Sequence, residues 1–165
     1  MGSLRIARYR VEHVDTDAAG VVHFTRYASW FESAVLENLD GLGLGLGVAP
    51  LAERDLVPAV TELTMKYVRS ARFMDRIEVR VRVAHVGGAS FRFAGEVRHG
   101  DEPLIAGAES RTGGDDAPGP FIEDRTLLAA GTLAWCLVNG TGGAAARLPG
   151  PFREKLRDHM EESAR

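Results

Sequence analysis

The residues of this chain best suited to chemistry are Asp15-Thr16-Asp17, followed by Ala18-Ala19-Gly20, the aliphatic pair Val21-Val22, then His23-Phe24 and a helical pattern. Two carboxylates stand at the end of a predicted strand, and a small-residue turn leads into a helix. The first-turn N–H groups of that helix have no acceptor within it. Such parts set a carboxylate on one side of a carbonyl and hydrogen-bond donors on the other. Read alone, Asp17 also suits a helix-entry cap, and Asp15 suits a turn whose N–H groups it accepts. Glu32 reads either as a solvated charge or as a buried carboxylate that orients the loop. No other stretch gathers chemistry in this way. There is no Gly-x-Ser-x-Gly elbow and no Cys/His spacing of a metal site. The Gly/Leu run 41–47 lacks the Gly-Lys-Ser/Thr ending of a phosphate loop and reads as an apolar pocket wall. Neither a cofactor nor a metal is expected.

The elements that must position these residues follow from periodicity. Residues 5–14 read as a strand. Tyr27, Trp30, Phe31, Ala34, Val35 and Leu39 recur at helical spacing and predict a helix over 25–39. A short helical piece is expected near 50–54. Strands are then expected over 60–68, over 77–83 where Ile77, Val79, Val81 and Val83 alternate with charge, from Ala89, over 104–110 and over 127–138. A polar helix anchored by Phe152 and Leu156 closes the chain at 151–162. One strand, one substantial helix and then antiparallel strands make an α+β fold in which a single helix covers a curved sheet. One helix cannot cover all of such a sheet, so a homodimer or homotetramer is expected.

Composition narrows the class. The chain has 165 residues, a formal net charge of −3, 45% hydrophobic and 26% charged residues. It is expected to be one domain, 1–165. The charge argues against nucleic acid as a partner. No apolar run approaches a membrane span and no signal-peptide pattern opens the sequence, so no membrane partner is expected. Cys136 is the single cysteine and reads as a core thiol in a reducing, cytoplasmic compartment.

Residues 14–32 resemble the 4-hydroxybenzoyl-CoA thioesterase group of hotdog-fold proteins, including its bacterial acyl-CoA thioesterase branch. Asp15, Asp17, Gly20, Val21, Val22, Tyr27, Phe31 and Glu32 carry the likeness. It extends over about residues 5–100, with 105–126 read as an insertion. The resemblance implies a hotdog fold and hydrolysis of acyl-CoA or acyl-carrier-protein thioesters. It implies Asp17 as nucleophile or general base and the backbone N–H of Phe24 as oxyanion donor. The branch commonly carries Tyr then His where this chain has His23 then Phe24, so His23 reads either as a displaced catalytic group or as a pocket-lining residue. Gly20, Val22, Tyr27 and Trp30 are expected along the substrate site, and Thr61 and Glu62 near the site of the neighbouring subunit. The basic stretch Lys66, Arg69, Arg72 and Arg76 suits carrier phosphates or an acidic carrier protein, or simply a solvated face. Two other readings keep the same site. One is hydration or conjugate addition on enoyl thioesters, and the other is binding without turnover.

Overall fold

The computed structural model describes residues 4–43, 55–100 and 126–162. Their elements are β1 (Ala7–Arg10), a 3-10 turn (His13–Asp15), α1 (Phe24–Gly41), β2 (Leu56–Tyr67), β3 (Arg76–Val86), β4 (Ser90–His99), β5 (Leu127–Asn139) and α2 (Gly150–Glu162). The strands form one antiparallel sheet in the order β1-β3-β4-β5-β2. Cross-strand register puts Phe91, Phe93, Gly95 and Val97 of β4 on the same face as Trp135, Leu133, Gly131 and Ala129 of β5. This is the face on which α1 lies.

The apolar stripe of α1 buries the residues expected from its periodicity and adds Asn38. A buried amide needs partners. Asn38 Oδ1 accepts the Arg5 N–H at 2.7 Å, and its Nδ2 donates to Arg5 O at 3.0 Å and Ala34 O at 2.8 Å. The amide thereby pins the chain before β1 to the helix. The helix sits close to the sheet because β4 carries Gly95 beneath it. A Cβ at Gly95 would lie 2.3 Å from Phe31 Cε2. The Phe31 ring occupies the space a side chain would need. At the other end of the core, Phe152 of α2 lies with its ring centroid 5.5 Å from that of Phe91.

The first strand is shorter than expected. Beyond Arg10 the chain still bonds to the turn before β3, Val11 N–H to Asp75 O, and then Glu12 and Asp15 form a capping box that turns it out of the sheet into the 3-10 turn. Asp15 therefore belongs to that turn and not to a strand end. β2 begins earlier than expected, at Leu56, and runs through Pro58. Proline is tolerated there because β2 is the edge strand, with β5 as its one neighbour in the sheet. Cys136 is half-buried and not a core thiol. Its neighbours Trp135 and Leu137 are buried, and strand alternation turns Cys136 to the opposite face. The expected helical piece near 50–54, the strand at 104–110, residues 44–47 of the Gly/Leu run and residues 105–125 of the expected insertion lie outside the described residues.

β2 is unusual in its exposure. Val57, Val60, Leu63 and Tyr67 are all more than two-fifths exposed, and one backbone edge of the strand has no strand beside it among the described residues.

Candidate active site

The segment from Asp15 to Val22 folds back on itself. Thr16 and Val22 form an antiparallel bridge, the Asp17 N–H donates to Val21 O at 2.9 Å, and the Gly20 N–H donates to Asp17 O at 3.0 Å. Gly20 holds φ at 75° and a Cβ there would meet nothing within 4 Å, so conformation and not space selects glycine. Asp17 is exposed at the head of this hairpin. Its Oδ1 accepts the Ala19 N–H at 2.8 Å, an Asx turn.

The hairpin is tied to the helix start from below. The His23 N–H donates to Asp15 O at 2.8 Å. The Asp15 carboxylate is buried, accepts the Glu12 N–H at 2.8 Å through Oδ2, and forms an ion pair with Arg26 Nε at 2.6 Å through Oδ1. The Arg26 guanidinium in turn lies over Trp30, 5.8 Å from the ring centroid. Asp15 is thus the buried carboxylate that orients the loop. Glu32 is exposed on α1 and is the solvated charge.

His23 is the N-cap of α1. Its Nδ1 lies 2.7 Å from Thr25 Oγ1 and accepts the Thr25 N–H at 3.4 Å. This imidazole completes a helix start, a role that His23 followed two residues later by Thr25 offers only weakly in sequence. Phe24 is the first helical residue, so its N–H has no acceptor within α1. Its ring is 60% exposed and stacks on His23 at 4.6 Å.

Sequence reasoning missed Tyr67. Its hydroxyl donates to Phe24 O at 3.0 Å, and its ring meets those of Phe24 and Tyr27 edge-on at 6.3 and 5.5 Å. Nothing in the linear pattern pairs the last residue of β2 with the first of α1. Burial raises the pKa of the Tyr67 phenol and keeps it a neutral donor. Tyr27 is buried, and its hydroxyl accepts the Ala71 N–H at 2.8 Å. Burial likewise raises its pKa.

The remaining expected residues divide. Val22 is buried and its N–H donates to Ala71 O at 2.9 Å. Trp30 belongs to the buried aromatic layer, stacked on Tyr9 and edge-on to Tyr27. Arg72 is brought to the hairpin by its bridge with Val21, and Arg69 lies on the same exposed link. Thr61 and Glu62 are not brought to Asp17 within one chain. They precede Tyr67 on β2 by six and five residues, about 20 Å and 17 Å of strand. Glu62 pairs with Arg92 at 2.8 Å, and Thr61 Oγ1 donates to Ala134 O at a β-bulge. Among the described residues no group of His, Cys, Asp and Glu is arranged to hold a metal ion. What the site offers is an exposed carboxylate on a hydrogen-bonded turn, a helix start whose Phe24 N–H is open, and an aromatic wall at that helix start.

Comparison with known proteins gives concordant results. The sequence pattern described as the thioesterase superfamily matches residues 19–106. The acyl-CoA thioester hydrolase YbgC of Escherichia coli O6:H1 is 31% identical over 100 residues, covering 61% of this chain and 73% of that protein. The acyl-CoA thioesterase YbgC of Haemophilus influenzae is 37% identical over 84 residues, covering 51% of this chain and 61% of that protein. The crystal structure of a 1,4-dihydroxy-2-naphthoyl-CoA thioesterase from Synechocystis superposes with a TM-score of 0.72 at 20% identity, covering 93% of this chain and 95% of that chain. At that identity the likeness is one of fold.

Proposed function

The chain belongs to the thioesterase superfamily, and from that membership we propose that it hydrolyses acyl-CoA thioesters to a free acid and CoA, with Asp17 as the reacting carboxylate. The observation that supports the reading is the hairpin, fixed by the bonds Asp17 N–H to Val21 O and His23 N–H to Asp15 O, which carries an exposed Asp17 on the segment leading directly into α1. The family match begins at Ala19, so the case for Asp17 rests on these surroundings.

Asp17 either removes a proton from water as it attacks the thioester carbonyl, or attacks that carbonyl itself to give a mixed anhydride that water opens; in both routes the C–S bond breaks and the CoA thiolate leaves, taking up a proton from water. In both routes the carbonyl oxygen gains negative charge. The Phe24 N–H, at the positive end of the α1 dipole, is the donor for it. Tyr67 holds the Phe24 carbonyl and so fixes the peptide on the far side of that residue. His23 supports the helix start as its cap, Gly20 and Val22 hold the hairpin, and Tyr27 and Trp30 form the floor beneath it. Arg69 and Arg72 offer guanidinium groups to the phosphates of CoA.

The open edge and exposed apolar side chains of β2 support pairing with a second copy of this chain. In an antiparallel β2–β2 pairing centred on Thr64, Thr61 of one copy falls opposite Tyr67 of the other. That arrangement brings Thr61 and Glu62 to the site across a homodimer. The single cysteine Cys136 agrees with a cytoplasmic enzyme.

Release of free thiol from a panel of acyl-CoA thioesters tests the reading. Asp17→Asn and Asp17→Ala are expected to lower kcat by at least about 100-fold. Unchanged turnover in both variants removes Asp17 from the chemistry. Thiol release by the unaltered protein from acyl carrier protein thioesters but from no acyl-CoA removes CoA as the carrier.

A further inference from the structure

We propose that the turn Arg72–Asp75, with Val14 beside it, is a contact surface for an anionic lipid bilayer. The turn is tightly built. The Asp75 N–H donates to Arg72 O at 3.1 Å, and Asp75 Oδ2 accepts the Arg72 N–H at 2.8 Å. Its third residue, Met74, holds φ at 75°, the left-handed region where glycine or asparagine is at home and a long side chain is strained. At the tip of this turn Phe73 and Met74 are each 52% exposed. On the neighbouring loop Val14 is 78% exposed. His13 joins the two loops through an edge-on contact with Phe73 at 6.1 Å.

The patch is flanked by positive charge. Arg10 Nη2 lies 3.0 Å from Met74 Sδ, and Arg10 and Arg76 are directly opposed in the register of β1 and β3. This is a local feature on a chain whose net charge is −3. The apolar side chains sit on a convex turn and not in a groove. A fluid lipid interface takes up a convex apolar tip with no matching cleft, while arginines beside it stay at headgroup level. The Val21–Arg72 bridge and the Ala71 N–H bond to Tyr27 tie this turn to the site hairpin. Contact with a bilayer would therefore turn the site toward the membrane surface.

Linear sequence hides this surface, because its members come from two separate loops and no apolar run marks them. The expectation of no membrane partner came from the lack of a spanning segment. Among the described residues no helix is long and apolar enough to cross a membrane, and peripheral contact needs none.

Co-sedimentation of the full chain with vesicles of phosphatidylglycerol and phosphatidylcholine, against phosphatidylcholine alone, tests the proposal. Binding to the anionic vesicles is expected to be at least about fivefold tighter. Phe73→Ser combined with Met74→Gly should weaken it by at least about tenfold. Met74→Gly alone should leave the melting temperature no lower, because glycine relieves the left-handed turn. Hydrolysis of a water-soluble acyl-CoA without vesicles should be unchanged in the double variant. Arg10→Gln should weaken binding to anionic vesicles alone. Asp17→Asn should bind as the unaltered chain does, which separates this surface from the reaction. Absence of binding to anionic vesicles overturns the proposal, as does binding that the double variant leaves intact. A change in the oligomeric state of the double variant would make the patch an interface between copies, and slowed turnover of carrier-protein substrates without vesicle binding would make it a surface for an acidic protein. Either result overturns the lipid assignment.

Discussion

The Asp15 carboxylate lies 2.6 Å from Arg26 Nε and joins the turn before the candidate site to the first turns of the helix behind it. The carboxylate is almost fully buried, whereas the arginine side chain is 39% exposed. Loss of the acid leaves Arg26 able to find water, but loss of the arginine strands a buried charge. Arg26→Ala is therefore expected to cost at least as much stability as Asp15→Ala, each about 2 kcal/mol after allowance for solvent around Arg26. Urea denaturation of the two variants and the double variant checks this, and additive losses would show that the pair is not coupled.

Tyr67→Phe keeps the aromatic wall and removes one hydroxyl from Phe24 O. A fall in kcat of about tenfold with stability changed by no more than about 1 kcal/mol is expected. Steady-state kinetics beside thermal melts decide it. Loss of stability with kcat intact would make Tyr67 a structural bond only.

Gly95→Ala places a methyl group where the Phe31 ring lies. The expected loss is about 2 kcal/mol or more. Pairing it with Phe31→Leu should recover part of that loss, because the smaller side chain vacates the space. Melting curves of the single and double variants would show it, and a stable Gly95→Ala protein would mean that the helix can lift without penalty.

Val60→Lys with Leu63→Lys puts charge on the exposed helix-facing side of β2, where those residues are 49% and 47% exposed. If β2 is where two copies meet, sedimentation should report monomers and thiol release should fall with them. Monomers that retain full activity would confine the whole site to one chain.

Much of this was legible before any coordinates. The helix stripe from Tyr27 to Leu39 and the alternation on β3 are local patterns, and local patterns survive folding. The turn that carries Asp17 was legible for the same reason, since its glycine and the helix after it are neighbours in the chain. Tyr67 was not, because its partner Phe24 is 43 residues away. The start of β2 was misread because Pro58 looks like a terminator unless the strand is known to be an edge. Spacing places Asp15 in a turn but reveals neither its burial against Arg26 nor which of its two readings Glu32 takes, because burial depends on the face each residue presents.

The sheet order has a consequence for how the protein is made. β2 lies beside β5, so about 60 residues must be synthesised between the two before the edge strand has its neighbour. Until then the Tyr67 end of β2 has no sheet to hold it against Phe24. The helix start, the hairpin and Asp17 can all be in place while the wall beside them is still missing. On a growing chain the site is completed last, when the final strand arrives.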